Sequence, residues 1–366
     1  MYIYEQKEWP EFTWDQEKIL TKLAEVKLSQ GLLLGKMQTL GFNLREEATL
    51  NALTDDVLKS SEIEGEIFDK EQVRSSIARR LGIDIGGDVP VDRHVEGTVE
   101  MMLDATQRYN EPLTKERLIG WHAALFPTGY SGMYKIKIGQ FRDDEKGPMQ
   151  VVSGRIGKEK IHYQAPPAEK LAAEMDRFID WANGLNNLDL VIKAGVAHLW
   201  FVTIHPFDDG NGRIARALTD MFLARAEQSN QRFYSMSAQI RQERNTYYTI
   251  LEKTQKGSLD ITEWLLWFLD CLQRAIQQSD ETLGNILKKA LFWQKNADLT
   301  LNERQKKIIN RLFDGFEGKL TSSKWAKIGK CSQDSANRDI LDLIEKNVLI
   351  KQGAGRSTHY ILNIDE

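Results

Sequence analysis

Twelve consecutive residues beginning at His205, His-Pro-Phe-Asp-Asp-Gly-Asn-Gly-Arg-Ile-Ala-Arg, constrain the fold of this chain more than any other stretch. They follow the apolar segment 190–204, whose composition is typical of a helix buried on all sides. Because proline disfavours the helical conformation of the preceding residue, that helix should end at His205, with the imidazole at its exposed end. Gly210 and Gly212 permit a tight turn, and a second amphipathic helix opens at Ile214.

The residue types in this stretch fit the handling of phosphate. The free N–H groups of a helix N-terminus form an anion site, and Arg213 and Arg216 share a face of the first turn. Asp209 can hold a magnesium ion that bridges phosphate oxygens, and His205 can take a proton from an incoming hydroxyl. Together these groups indicate phosphoryl or nucleotidyl transfer, because a purely structural histidine and turn would leave the paired arginines unexplained.

Composition excludes several other classes of protein. The chain has 366 residues, which suggests two or three domains, and its formal net charge of −4 provides no strong field toward nucleic acid or membranes. Its sequence contains no apolar run of membrane-spanning length and no basic and apolar signal pattern at the N-terminus. Cys271 and Cys331 lack ligand spacing, which is typical of a reducing compartment. These features predict a cytoplasmic protein with no membrane partner.

Helical periodicity dominates the first ninety residues. A capping box over 13–16 should begin a helix that runs to about Met37, and a second helix is predicted over 45–60. A polar helix over 71–80 precedes a loop over 82–90 that contains Gly86-Gly87. The loop should separate an N-terminal helical unit from the main domain.

An acidic segment, Ser60-Ser61-Glu62-Ile63-Glu64-Gly65-Glu66, follows the second predicted helix, and its glycine marks the helix end. The plain interpretation is a solvated acidic terminus. Acids at a helix C-terminus oppose the helix dipole, however, so a nearby cationic partner is favoured.

Glycines and strand-like pieces interrupt the helical pattern in the middle of the chain. Helices are predicted over 91–109, 114–125 and 168–185, whereas 149–153 and 160–164 read as strands joined by a hairpin tip over 154–158. The hairpin could be a plain surface feature, or its edge strand could accept another chain.

The twelve residues from His205 resemble the signature of the Fic family, His-Pro-Phe-x-(Asp/Glu)-Gly-Asn-Gly-Arg-x-x-Arg, and every specified position is present. The wider resemblance covers roughly 92–272. It implies a mainly α fold, in which a helical core carries a short β-hairpin flap. It further implies ATP as the donor, Mg²⁺ as the cofactor, and transfer of AMP to a Ser, Thr or Tyr hydroxyl of a protein.

The resemblance also implies roles by position. His205 is the general base, Phe207 anchors the loop in the core and Asp209 binds magnesium. The residues expected to hold phosphates are Gly210, Asn211, Gly212 and Arg213, with Arg216 at the γ-phosphate. The residues expected to border the nucleotide are Ile161, His162, Tyr163 and Gln164 of the flap, Tyr247, and Gln255, where some relatives carry asparagine. The flap is also expected to align a protein substrate by strand addition.

Three residues of the acidic segment, Ser60, Glu64 and Gly65, match the family's inhibitory motif, (Ser/Thr)-x-x-x-Glu-(Gly/Asn). The resemblance implies that Glu64 pairs with Arg216, which would displace the γ-phosphate and misplace the α-phosphate for attack. Some relatives also use this glutamate to orient water and remove AMP.

A separate pattern begins at Asn302. Helices over 302–313, 322–329 and 332–346 precede strand-like pieces over 348–351 and 358–362, an order that resembles a winged helix-turn-helix. The third helix carries four acids against two cations, which opposes DNA phosphates, although Lys351 and Arg356 in the wing compensate. DNA binding and a protein-binding role, including a homodimer, therefore both stay open.

The sequence thus predicts a mainly α protein with three parts. They are an N-terminal helical region with an inhibitory motif over 1–90, a Fic catalytic core over 91–285 and a winged helix-like domain over 290–366. We expect a protein adenylyltransferase restrained by Glu64 that modifies a target protein and itself. The alternatives are a hydrolase that removes AMP with the same site, and a nucleotide-sensing, DNA-binding regulator.

Overall fold

The computed structural model describes residues 1–84, 89–145, 147–155, 158–185, 187–313, 316 and 318–364. The chain forms two compact units, Met1–Ser279 and Asp280–Glu366. Gly86-Gly87 of the predicted loop and Ile156-Gly157 of the predicted hairpin tip lie outside the described residues. Among the residues described, no helix combines the length and the apolar character needed to cross a membrane.

The first unit is mainly helical, which confirms the predicted fold class. Its helices are α1 (Gln16–Gln38), α2 (Phe42–Ile63), α3 (Lys70–Leu81), α4 (Arg93–Gln107), α5 (Lys115–Leu125), α6 (Leu171–Asn183), α7 (Leu190–Ile204), α8 (Asn211–Glu227), α9 (Met236–Gln242), α10 (Arg244–Gln255) and the start of α11 (Thr262–Lys295). Its strands form two antiparallel hairpins, β1 (Tyr130–Ser131) with β2 (Tyr134–Lys135), and β3 (Gln150–Ser153) with β4 (Lys160–Gln164).

The sequence predicted one of the two hairpins and not the other. The β3–β4 pair is the predicted flap, and Gln150 lies opposite Gln164 at its base. The β1–β2 pair was not predicted, because strands of two residues are too short to show an alternating pattern.

The centre of the first unit is the antiparallel pair α7 and α8. Every residue of α7 after Leu190 is buried, as the uniformly apolar sequence predicted. Gly195 permits close packing against α11, because a Cβ at that position would lie 3.0 Å from Cδ1 of Phe268. The Trp264 indole N–H also donates to the Gly195 carbonyl at 2.9 Å. These contacts hold the middle of α7 against α11.

Two helix boundaries at the N-terminal end of the chain differ from the prediction. The N-cap of α1 is Asp15, whose carboxylate accepts from the Lys18 N–H at 3.1 Å. Thr13, the predicted cap, instead forms a β-bridge with Asp260, and its N–H donates to the Leu259 carbonyl. The capping box was wrong because a tertiary contact holds Thr13 in extended backbone.

Helix α2 is longer than predicted at both ends, and it ends at Ile63 instead of Ser60. Gly65, with a φ of +88°, ends the helical path in the conformation that glycine adopts most readily. The serines before it do not break the helix, so Glu64 becomes the C-cap residue. The extra turn therefore aims the acidic segment into the first unit.

A buried histidine links the central helices and provides a test of the fold. His198, on α7, hydrogen-bonds Thr219 Oγ1 on α8 through Nδ1 and the Tyr247 hydroxyl on α10 through Nε2, both at 2.9 Å. Burial lowers the pKa of His198 to about 3, so the folded protein holds this ring neutral.

We expect the free energy of unfolding to fall as the pH drops below about 6.5. The unfolded chain then protonates His198 and the folded chain does not, which removes about 1.4 kcal/mol per pH unit until the folded pKa near 3 is reached. Urea denaturation at pH 7.5 and 5.5 measures the change in the free energy of unfolding between these pH values. In His198→Gln this change should be smaller by the contribution of one proton taken up on unfolding. An identical pH dependence in the two proteins would contradict the assignment.

Among its described residues, the second unit contains the end of α11, three further helices and a hairpin. After the end of α11 come α12 (Glu303–Phe313), α13 (Ser322–Gly329), α14 (Gln333–Glu345), β5 (Leu349–Gln352) and β6 (His359–Leu362). Leu320, just before α13, forms an antiparallel bridge with Tyr360, and Trp325 is fully buried in the core of this unit. The elements follow the predicted order, while the winged-helix assignment stays a prediction.

Some of the acids of α14 that were counted against DNA binding are paired with other side chains of the second unit. Asp339 is 6% exposed and accepts hydrogen bonds from Arg304 at 3.0 Å and Asn302 at 2.9 Å. Asp342 accepts from Lys346 and Gln305, each at 2.7 Å. The outer face of α14 is therefore less acidic than the count implied, and the DNA-binding prediction stays open.

Candidate active site

His205 lies at the junction between α7 and the glycine-rich loop. It adopts the left-handed conformation, with φ 53° and ψ 59°, and its N–H donates to the Phe201 carbonyl at 3.0 Å. Its own carbonyl accepts from Arg142 Nε at 2.8 Å. The helix ends where Pro206 predicted, but the imidazole is half-buried instead of exposed. The backbone of His205 is thus held from both sides.

The hydrogen bond of the imidazole defines its tautomer. Nδ1 lies 3.1 Å from the Val202 carbonyl oxygen, which can only accept, so Nδ1 carries the hydrogen. Burial lowers the pKa of His205 to about 4, against smaller opposing effects that include the charges of Asp209 and Glu64. At neutral pH the ring is therefore uncharged, and Nε2 has a free lone pair that can accept a proton.

The loop after His205 is anchored by Phe207 and Asn211. The Phe207 ring is fully buried and stacks on His122, with ring centroids 4.2 Å apart. The Asn211 side-chain amide accepts from the Phe207 N–H at 3.0 Å and donates to the Phe207 carbonyl at 2.8 Å. The side chain of Asn211 therefore fixes the loop through both backbone groups of Phe207, and its expected contact with phosphate stays a prediction.

Ser131 of the unpredicted β1–β2 hairpin and Lys137 just after it bond the two carboxylates of the loop. The Ser131 hydroxyl donates to Asp209 Oδ2, and the Gly210 N–H donates to Asp209 Oδ1 at 2.6 Å. The Lys137 N–H donates to Asp208 Oδ2 at 2.9 Å. No sequence signal marked these partners, because they come from a segment about seventy residues upstream. The two adjacent acids are consequently turned toward different donors.

Arg216 is paired as the resemblance implied. Its guanidinium is 2% exposed, and Nη2 donates to Glu64 Oε1 at 2.8 Å and to the Ser60 carbonyl at 2.9 Å. Nε donates to the Ser60 hydroxyl at 2.8 Å. Gly212 leaves room for this pair, since a Cβ there would lie 2.2 Å from Glu64 Oε1. Ser60 and Glu64 together therefore hold the second arginine of the loop.

Arg213 has a partner that the sequence did not reveal. Its Nη1 donates to Glu66 Oε2 at 2.7 Å, and its guanidinium lies over the Phe126 ring, 4.9 Å from the centroid. Within the described part of the chain, Arg213 Nε and Arg216 Nη1 are buried without a hydrogen-bond partner. The site thus holds two buried cations whose donor capacity is incompletely used, which suits an anion with many oxygens.

Two further arginines receive the end of α2. Arg244 Nε donates to the Ile63 carbonyl at 2.9 Å, and Arg241 lies 3.5 Å from the Glu62 carboxylate. Cations therefore contact both the negative end of the helix dipole and an acid of the last turn, as the sequence analysis favoured.

The four flap residues do not face one common site. Tyr163 is buried and donates its hydroxyl to the Thr203 carbonyl at 2.6 Å, whereas Ile161 is 46% exposed. The His162 ring contacts Ser153 Oγ at 2.5 Å and Glu252 Oε2 at 2.6 Å. Gln164 accepts from Gln150 across the hairpin at 2.9 Å. The flap is thus tied to α7 and α10 through Tyr163 and His162.

Tyr247 and Gln255 both contact α7, Tyr247 at its middle and Gln255 near its C-terminal end. Tyr247 is 2% exposed and bonds His198 as described above. Gln255 is 4% exposed, and its Nε2 lies 3.4 Å from the Val202 carbonyl oxygen. Both side chains therefore pack against α7, the helix that ends at His205.

Comparison with protein families agrees with this geometry. Residues 112–223 match the model described as "Fic/DOC family", and residues 2–83 match a "Domain of unknown function (DUF4172)". The region that matches the Fic/DOC model contains His205 and both loop arginines. The acidic segment falls within the second matched region.

Curated relatives carry the name "Protein adenylyltransferase Fic". The protein from Culex quinquefasciatus is 27% identical over 241 residues, which are 63% of this chain and 42% of that protein. The protein from Drosophila grimshawi is 29% identical over 217 residues, 58% of this chain and 40% of that protein. The chain thus matches about two fifths of the length of these relatives.

Solved structures show the same fold. A Fic family protein from Desulfovibrio desulfuricans G20 aligns with a TM-score of 0.54 and 21% identity, over 96% of this chain and 98% of that one. A Fic domain-containing signaling protein from Bacteroides thetaiotaomicron VPI-5482 aligns with a TM-score of 0.52 and 20% identity, over 70% of this chain and 95% of that one.

Proposed function

We propose that this chain transfers AMP from ATP to a hydroxyl of a target protein and of itself, and that Glu64 restrains the reaction. One observation carries the proposal. A neutral histidine with a free Nε2 ends α7, and the next helix begins with two buried arginines that are occupied by carboxylates from α2 and the turn after it. A proton acceptor beside an anion site suits transfer from a polyphosphate. The relatives named adenylyltransferases support AMP as the transferred group.

The proposed reaction is a single displacement at the α-phosphorus of ATP. His205 Nε2 takes the proton of the acceptor hydroxyl, whose oxygen forms a bond to the α-phosphorus as the bond to the pyrophosphate oxygen breaks. Pyrophosphate leaves, and AMP stays on the acceptor oxygen. Arg213, Arg216 and the N–H groups at the start of α8 would neutralise the phosphate charge.

Asp209 would hold the magnesium ion of the ATP complex. Its carboxylate accepts two hydrogen bonds and keeps further lone pairs, so it can still act as a ligand. Among the described residues no group of three or more His, Cys, Asp or Glu could form a complete metal cage. This fits magnesium, which takes one or two carboxylates and completes its shell with phosphate oxygens and water. When bound, the ion neutralises phosphate charge.

The flap would receive the target segment. The β3–β4 sheet has only two strands, so it offers unpaired backbone groups at its edges, and Val152 and Ile161 expose apolar side chains on it. An extended segment of the target protein could pair with such an edge and bring its hydroxyl toward His205.

Position-specific labelling of ATP tests the proposal. We expect the Glu64→Gly chain to retain label from the α-phosphate of ATP and to release label from the γ-phosphate as pyrophosphate. Retention of the γ-label would indicate phosphoryl transfer and contradict the proposal. Incubation of the labelled product with the wild-type chain then tests the alternative activity, since loss of the α-label as AMP would show a hydrolase.

A further inference from the structure

Two carboxylates from one short segment occupy the two arginines of the loop. Glu64 pairs with Arg216, and Glu66 pairs with Arg213 at 2.7 Å. The inhibitory motif covers Ser60, Glu64 and Gly65 only, so Glu66 lies outside it. Glu64 alone would leave Arg213 available to a phosphate.

The backbone of the turn holds Glu66 in place. The Glu66 N–H donates to the Ser61 carbonyl at 3.0 Å, and the Gly65 N–H donates to the Glu62 carbonyl at 3.2 Å. With Gly65 in the left-handed region, these bonds close the end of α2. The turn therefore fixes the backbone of Glu66 in a position from which its carboxylate contacts Arg213.

Glu66 neutralises the charge of Arg213, whose guanidinium is buried away from water. Arg213 is 2% exposed, and Glu66 is the only carboxylate that bonds it among the residues described, while the Glu66 side chain is 39% exposed. A buried guanidinium without an anion is strongly destabilised, so Arg213 requires a partner at all times. Either Glu66 or a phosphate can supply it. Because Glu66 is partly solvated, it can be displaced into water.

We propose that Glu66 is a specificity-determining residue, which competes with phosphate at Arg213 so that the resting site prefers a nucleoside monophosphate to a nucleoside triphosphate. The proposal rests on the proposed function, in which this site binds ATP. Both pairs are made through guanidinium groups, so the N–H groups at the start of α8 take no part in them. A monophosphate can bind at these N–H groups alone. A triphosphate needs the arginines as well, so it must displace Glu64 and Glu66 together.

Nucleotide affinities of the full-length chain test this role. Dissociation constants for ATP and AMP are measured by calorimetry in buffer without divalent metal, so that binding is read without turnover. We expect Glu66→Gln to tighten ATP binding about tenfold and to change AMP binding by less than about twofold, because only the triphosphate competes for Arg213. Glu66→Asp, which keeps the charge on a shorter side chain, should fall between the two.

The matched control is Glu62→Gln, which removes a glutamate of the same segment that pairs with Lys59 and Arg241. Its ratio of ATP to AMP affinity should equal that of the wild type. A wild-type chain that prefers ATP to AMP, or a Glu66→Gln chain with an unchanged ratio, would overturn the inference. Failure of the proposed function is distinguishable, because the labelling experiment would then show no transfer while these affinities could still shift.

Discussion

Replacement of Glu64 with glycine is expected to raise the transfer of labelled AMP onto the chain by about tenfold to a hundredfold. The backbone of Glu64, the C-cap residue of α2, has φ −88° and ψ 1°, a conformation that glycine also adopts. The replacement removes the carboxylate partner of the buried Arg216, which keeps its two bonds to Ser60. Loss of Glu64 frees the Arg216 Nη2 that now holds the carboxylate at 2.8 Å. Arg216 can then bind the γ-phosphate, so the α-phosphate is placed for attack.

Initial rates of self-labelling with α-labelled ATP measure this effect. Glu62→Gln again serves as the control, since Glu62 carries the same charge two residues away and pairs with Lys59 and Arg241 instead of the loop arginines. An equal rate in the wild type and the Glu64→Gly chain would disprove restraint by Glu64. An equal rise in the control would assign the effect to the net charge of the segment.

Replacement of His205 with alanine, in the Glu64→Gly chain, is expected to reduce AMP transfer by about 10²- to 10⁴-fold, the usual contribution of a general base. Nδ1 is held by the Val202 carbonyl, so Nε2 is the ring nitrogen that can act as the base, and alanine removes it. Nucleotide affinity should change little, since the phosphate groups are held by α8 and its arginines.

His205→Asn separates the chemistry from the backbone. His205 has a φ of 53°, which costs most residues about 1–2 kcal/mol, whereas asparagine tolerates this conformation. The asparagine chain should therefore keep the stability of the parent and lose transfer as fully as the alanine chain. Persistent labelling in the asparagine chain would show that another group accepts the proton.

The elements around the site were largely predictable from local sequence. The span of α7 matches the predicted 190–204, because a continuous apolar run before His205-Pro206 has both a composition and a stop signal. The loop and the presence of α8 followed from Gly210 and the helical pattern after it, although α8 begins at Asn211 and not at the predicted Ile214, so Gly212 lies in its first turn. Such features depend on neighbouring residues, which the sequence displays directly.

Errors arose wherever a distant contact decided the outcome. Thr13 was predicted to cap α1, but its bridge with Asp260 holds it in extended backbone. Asp339 was counted as an exposed charge of α14, but it pairs with Arg304 and is buried within the second unit. The β1–β2 hairpin, too short to have a pattern, proved to hold Asp209 through Ser131.

The sequence by itself determined the helices, the glycine-rich turn and the chemistry of the residues from His205 to Arg216, because these depend on periodicity and residue type over a few positions. Only the tertiary structure decided the His205 tautomer, the loop-positioning role of Asn211 and the pairing of Arg213 with Glu66. Glu66 lies 147 residues before Arg213, and their contact exists only because α2 ends against the start of α8. A pairing over that separation follows from packing, which no local pattern encodes.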